Sequence, residues 1–246
     1  MKLYAPIIAA TLLLAIPSCR FIHISDNLKQ QLKEAGSDFH ASEDGKTITA
    51  SDVIAERDEQ PGDFKAFESK LACDITYVSG DCNISFSGPD NILEHITVVN
   101  EAGRLSVGSD GTNFRKLKNL KIVLTAPSLE ELHFKGAVDF SAPQGICCPG
   151  SFKIEIDGAG DIDIQGLKAG RAAITVNGAG DINVDAIDSD ELSVEINGAG
   201  DAVVSGKTGK ATMSISGAGD IDARNLQAEQ FDSKVRGAGS IKRPRN

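Results

Sequence analysis

The chain contains no tryptophan and only two tyrosines in 246 residues, so the aromatic platforms on which proteins stack sugars or bases are scarce. Positive charge is short as well. Against 35 Asp and Glu stand 25 Lys and Arg, a net charge of −10, which argues against a nucleic-acid partner, because phosphate binding draws on clustered cations. No Cys-x-x-Cys occurs, and His23, His40, His95 and His133 are scattered rather than grouped at zinc spacing. Metal and thiol catalysis therefore have little support. Apolar residues still make up 41% of the chain, enough for a sizeable buried core.

The N-terminal 1–18, MKLYAPIIAATLLLAIPS, has one lysine followed by an apolar run from Ala5 to Ile16. That run is too short to span a bilayer comfortably and reads as a signal peptide. Ile16-Pro17-Ser18-Cys19 resembles a bacterial lipobox, with Cys19 as the acylated mature N-terminus. Several acyl chains on one residue give durable attachment where a single chain is marginal. The expectation is an exported outer-membrane lipoprotein, anchored without spanning, that faces either the periplasm or the outside. In an oxidising compartment Cys73, Cys82, Cys147 and Cys148 allow three pairings. Cys73 with Cys82 is the favoured bridge, since neighbouring Cys147 and Cys148 would be strained.

Residues 19–62 are polar and charged, with a short helix expected over Asp26 to Ala35 and a turn at Gln60-Pro61-Gly62. They read as a stalk or linker before a domain at 63–246. From Phe64 to Val107, LACDITYV, CNISFS and ILEHITVV alternate with SGD, GPDN and NEAG, the grammar of strands joined by tight turns.

What the sequence has in quantity is glycine at regular intervals. GAGD begins at Gly158, Gly178, Gly198 and Gly217, GAGS follows at Gly237, and an imperfect GAVD precedes them at Gly136. The last five starts are 20, 20, 19 and 20 residues apart, and an internal repeat of that length signals a solenoid. Ile156, Val176, Ile196, Ile215 and Val235 align, as do Ile162, Ile182, Ala202 and Ile221, each within period-2 alternation. Each unit thus supplies two strands that pair with their counterparts one coil away, about 4.8 Å on. The fold class expected is all-β, a right-handed parallel β-helix with coils of about 20 residues.

The corners fall at Gly158 and Gly160, Gly178 and Gly180, Gly198 and Gly200, Gly217 and Gly219, and Gly237 and Gly239. A dinucleotide loop is ruled out, because Asp163 stands where the third glycine belongs and one nucleotide has no use for five copies. Asp161, Asp181, Asp201 and Asp220 form a column of carboxylates about 5 Å apart, a candidate metal site for Ca²⁺. Their period is more than double that of Ca²⁺-binding rolls, so no cofactor is expected. No catalytic residue stands out from the repeat.

Together, the lipobox-like Cys19, FKAFESKLACDITYVSGD, ITVVNEAGRLSV and the repeated NGAGDI resemble the head GIN domain family of auto-transporter adhesins, exported proteins of Bacteroidetes. The resemblance implies a β-helix at the cell envelope and an adhesive, non-enzymatic role toward a protein or glycan. Alternatives are a polysaccharide-active β-helix enzyme and an envelope structural or assembly protein, since open strand edges invite homo-oligomer pairing. The basic end SIKRPRN reads equally as an edge blocker or as a solvated basic tail.

Overall fold

The structure, a computed structural model, describes residues 46–244. The signal peptide, Cys19, the helix expected over Asp26 to Ala35, His23 and His40 lie outside the described residues. Among the described residues no helix is long and apolar enough to cross a membrane. The architecture is all-β. A two-stranded sheet pairs β1 (Thr47–Thr49) with β8 (Asn113–Arg115), and the remaining strands join one large, mostly parallel sheet.

The repeat region builds most of that sheet. It contains β10 (Glu131–Phe134), β11 (Val138–Ala142), β12 (Ile146–Ile156), β13 (Ile162–Ile164), β14 (Leu167–Val176), β15 (Ile182–Ala199) and β16 (Ala202–Lys242). Every pairing among them is parallel, and the register follows the sequence period: Ile156 pairs with Val176, Val176 with Ile196, and Ile196 with Ile215. Ile162 pairs with Ile182, and Ile182 with Ala202. Because side chains alternate across a strand, register of this kind puts every aligned aliphatic on the same side. All are buried, and they join one continuous core. The exception is Val235, expected in the same column but 40% exposed. It sits in the last turn of β16, and no further turn covers it among the described residues.

The single 19-residue step has a local cause. Between Val184 and Ile187 the register with β16 shifts, so that Val184 pairs with Val204 but Ile187 with Gly206. Ala186 takes a positive φ of 47° there. One turn carries an extra bulged residue, and the core columns on either side keep step.

The first part of the domain departs from a run of hairpins. It comprises β2 (Ile54–Glu59), β3 (Ala66–Ser69), β4 (Cys73–Ser79), β5 (Asn83–Pro89), β6 (Ile96–Glu101), β7 (Arg104–Ser109) and β9 (Lys121–Ala126). Only β6 and β7 form a tight hairpin, whose Ala102 and Gly103 both take positive φ (51° and 82°), as a two-residue loop of that hand requires. Consecutive β4 and β5 do not pair with each other, because β9 lies between them, parallel to β4 and antiparallel to β5. Spatial order therefore differs from chain order: β7 and β9 lie against one side of β3 and β4, and β10 and β11 against the other.

Two further expectations are corrected. ILEHITVV is not one strand: Asp90–Leu93 form a helical turn, α1, whose Ile92 and Leu93 are buried, and β6 begins only at Ile96. The stalk reading of 19–62 also fails over its last part. β2 pairs antiparallel with β5, Asn91 binds both Thr49 O and Ser51 N through its side-chain amide, and Arg57 donates to Ile96 O (3.1 Å). The Arg57 guanidinium also lies 4.9 Å from the Phe86 ring centre. Alternation in IAERDE is weak in hydrophobicity, and pairing to an existing sheet edge settles its structure.

Candidate functional site

The chain bends at Asp157 and Gly158 and again at Asn177 and Gly178, and successive GAG copies stack: Ala137 bridges Ala159, Ala159 bridges Ala179, and Ala179 bridges Ala199. The Ala179 N–H donates to Gly158 O (3.0 Å) and the Gly180 N–H to Ala199 O (3.1 Å). A Cβ built on Gly178 would lie 1.9 Å from Gly158 O, and one on Gly180 would lie 1.9 Å from Gly160 O. The glycines are required because one backbone lies directly on the next, and the alanines between them face solvent. Asp157, Asn177 and Asn197 form a side-chain ladder beside this stack, with Asn177 Nδ2 donating to Asp157 Oδ1 (2.8 Å) and Asn197 Nδ2 to Asn177 Oδ1 (3.1 Å).

On the other side of the glycines the structure assembles the expected carboxylate column and lengthens it. Asp139 pairs with Asp74 across β11 and β4, and both line the same open groove of about 630 Å³ as Asp161, Asp181 and Asp201. The groove floor also takes in Thr76, Ser141, Asp163, Asn183 and Val203 from the neighbouring column. The column is stitched to the backbone. The Asp181 N–H donates to Asp161 Oδ1 (3.0 Å), Asp201 N–H to Asp181 Oδ1 (2.9 Å) and Asp220 N–H to Asp201 Oδ1 (2.8 Å). Ser240 closes it through both its N–H and its hydroxyl on Asp220 Oδ1, which holds that carboxyl below its usual range.

Asp161, Asp181, Asp201 and Asp220 each thus satisfy an amide in the next turn with one carboxylate oxygen. Sequence reasoning found the column but missed this ladder, since a backbone acceptor leaves no separate mark in the side-chain pattern. In the neighbouring column Arg224 pulls Asp222 down to about 2 through its guanidinium hydrogen bonds.

Histidines behave differently from their scattering in the chain. His95 Nδ1 lies 2.8 Å from Asp110 Oδ2 at the end of β7. His133, on β10, has Glu68 on one neighbouring strand and Glu155 on the other, both directly opposite it in register. Its Nε2 lies 2.7 Å from Asp157 Oδ2. Hydrogen bonds from Asn177 and then His133 hold the Asp157 carboxyl below its usual value.

The four described cysteines are free thiols. The expected Cys73–Cys82 bridge is absent, and the strand between them explains it. Cys73 opens β4, and Cys82 lies beyond its far end, so the two are separated by roughly 15–20 Å of extended chain, where a disulfide needs a Cα separation of about 4.4–6.8 Å. Burial pushes the Cys73 thiol up to about 12 and also raises Cys148, whereas Cys147 is exposed. Under native conditions a maleimide probe is expected to label Cys147 quickly and to leave Cys73 unlabelled until the protein is denatured, as peptide mass spectrometry would read out. Rapid native labelling of Cys73 would contradict this arrangement.

Residues 63–243 match the family described as "Putative auto-transporter adhesin, head GIN domain". The chain belongs to that family. Three solved structures share the fold of this head GIN domain. One described as a putative adhesin from Bacteroides fragilis is 23% identical, with a TM-score of 0.66 over 80% of this chain and 99% of the other. A putative lipid binding protein and a putative adhesin, both from Parabacteroides distasonis, are 18% and 16% identical, with TM-scores of 0.68 and 0.72. Each is covered over 80% of this chain, and over 96% and 84% of its own. A search of curated proteins finds no match. An adhesin acts at the cell envelope after export, so membership assigns this head GIN domain to that compartment.

Proposed function

We propose that the protein is a non-enzymatic envelope lipoprotein that adheres to a protein or glycan partner through the aspartate-lined groove. In this reading residues 1–18 direct export, Cys19 carries the lipid anchor at the outer membrane, and the stacked turns wind as a right-handed parallel β-helix. The winding is supported by the uniform parallel offset of 19 to 22 residues between paired strands and by the right-handed rule for parallel crossovers.

The observation that carries the adhesive role is the groove itself. Its acidic groups recur at the spacing of the turns, and Asp161, Asp181 and Asp201 are each held by an amide of the following turn. Such a surface is rigid, long and chemically repetitive, suited to an extended or repeating partner. A reaction centre would need a group set apart from its neighbours. The charge of the groove favours a partner bearing cations, either a basic protein segment or a glycan with free amines.

The test is a binding screen of the purified protein on protein and glycan arrays, followed by titration of the best ligand. Binding is expected to weaken about tenfold or more when Asp181 and Asp201 are both changed to Asn, and to weaken with added salt. Substitution by Asn keeps an oxygen for the ladder, so folding is retained. Binding that ignores both changes would place the partner on another face.

A further inference from the structure

We propose that His133, Glu155 and Asp157 form a binding site for a divalent transition-metal ion of the zinc class. The donor atoms of these three side chains all lie within 4.8 Å of one another. Three donors at about 2.0–2.2 Å from a shared zinc need only a modest contraction from that spacing. The backbone supplies the arrangement: His133 and Glu155 are paired rungs of β10 and β12, and Asp157 follows two residues after Glu155, on the same outward side.

The surrounding contacts divide the roles. Asn177 occupies Asp157 Oδ1, which leaves Oδ2 aimed at His133 Nε2, 2.7 Å away. A metal ion would replace the proton now shared there. On the other edge of the ring, Glu68 Oε2 lies 3.7 Å from Nδ1, while Lys70 and Lys135 hold the other oxygen, Oε1. That is the position of the carboxylate that orients a ligating imidazole and selects its tautomer. Lys153 pairs with Glu155 and is the group an ion would displace.

The position in the repeat adds a separate argument. Beyond Glu155 the same rung continues as Thr175, Glu195 and Ser214, and beyond Asp157 as Asn177, Asn197 and Ser216. The imidazole stands in this row once, at the turn before the regular units begin, so the repeat does not account for it. One imidazole with two carboxylates suits zinc and its neighbours in the series. Calcium wants six to eight oxygens and is poorly served. With three protein donors and a half-exposed rim, the fourth position opens to solvent.

The test is titration of EDTA-treated, desalted protein with Zn²⁺ by calorimetry, and with Co²⁺ by visible absorption. One saturable site per chain is expected, with a melting temperature that rises on adding Zn²⁺ and returns with EDTA. His133→Gln and Asp157→Asn should each weaken binding about tenfold or more, with little change in the metal-free melting temperature, since each replacement keeps a polar side chain of similar reach. The Asp181→Asn, Asp201→Asn double variant should bind Zn²⁺ as the parent does. No saturable binding, or binding unchanged in both His133→Gln and Asp157→Asn, overturns the assignment. If one variant fails to fold, the other gives the same reading.

Discussion

Changing Gly178 to alanine is expected to destabilise the domain by at least about 3 kcal/mol, measured by urea denaturation, and to leave little folded protein at 37 °C. The new Cβ would sit 1.9 Å from Gly158 O. The obstacle is main chain locked in the ladder of the previous turn, so no side chain can rotate out of the way. Relief requires the two turns to part, and that stretches the bond from the Ala179 N–H to Gly158 O and bares the aliphatic columns beneath. Two controls separate this cause from a general intolerance of the segment. Ala179→Ser places its hydroxyl in solvent and should change stability by no more than about 0.5 kcal/mol. Gly239→Ala meets an equally close carbonyl, Gly219 O at 1.9 Å, but lies in the last described turn, which can splay because no described strand stacks beyond it. Its effect should be fraying of the terminal strand, read as faster amide exchange there, with most of the stability kept. Equal losses at Gly178 and Gly239 would show that backbone crowding is not what the glycines relieve.

Phe134→Ala is expected to cost about 3–5 kcal/mol. Phe134 is fully buried where the irregular first turns meet the repeat, edge-on to Phe67 with ring centres 6.5 Å apart and tilted against Phe140 at 5.5 Å. Removing it opens a cavity shared by three turns whose backbones are fixed by ladders on both sides, so collapse around the hole is restricted. The comparison is Val123→Ala, on β9, whose side chain is 41% exposed. That change should fall within about 0.5–1 kcal/mol in the same denaturation experiment. A small loss at Phe134 would mean that the aromatic cluster fills space without bracing the junction.

These two sites also mark where the sequence could be read and where it could not. The period of NGAGDI predicted the rung partners of Ile156, Ile162 and Ile174, because a repeat with a buried face leaves its register in the spacing of its aliphatics. The glycines carried a subtler meaning. Their presence marked the bends, yet a bend and a close backbone stack call for the same residue for different reasons, and only the distance to the next backbone shows the second. Before Leu117 the repeat is absent and local grammar misled. β4 and β5 look like neighbours because a short turn joins them, but the strand that enters between them comes from some forty residues further on. No local signal announces such an insertion. The site residues divide in the same way. The aspartate column was visible as a period, whereas Glu68, His133 and Glu155 come from three separate stretches and meet only through cross-strand register.

That spatial order bears on how the chain can acquire its structure. The early strands β3 and β4 end up inside the stack, and they cannot be sandwiched until β7 and β9 have followed. Loops of nearly 40 and more than 45 residues must close before the first layer exists, and closures of that span are slow. β10 and β11 must still dock on β3 and β4 across about 65 residues, but from β12 onward each turn needs a loop of only about twenty residues and lays down on a finished edge. Folding should then resemble crystal growth, with a costly seed near the N-terminus and cheap addition afterwards. A chain halted after residue 126 would carry the seed, and one that begins after it would carry turns with nothing to grow from.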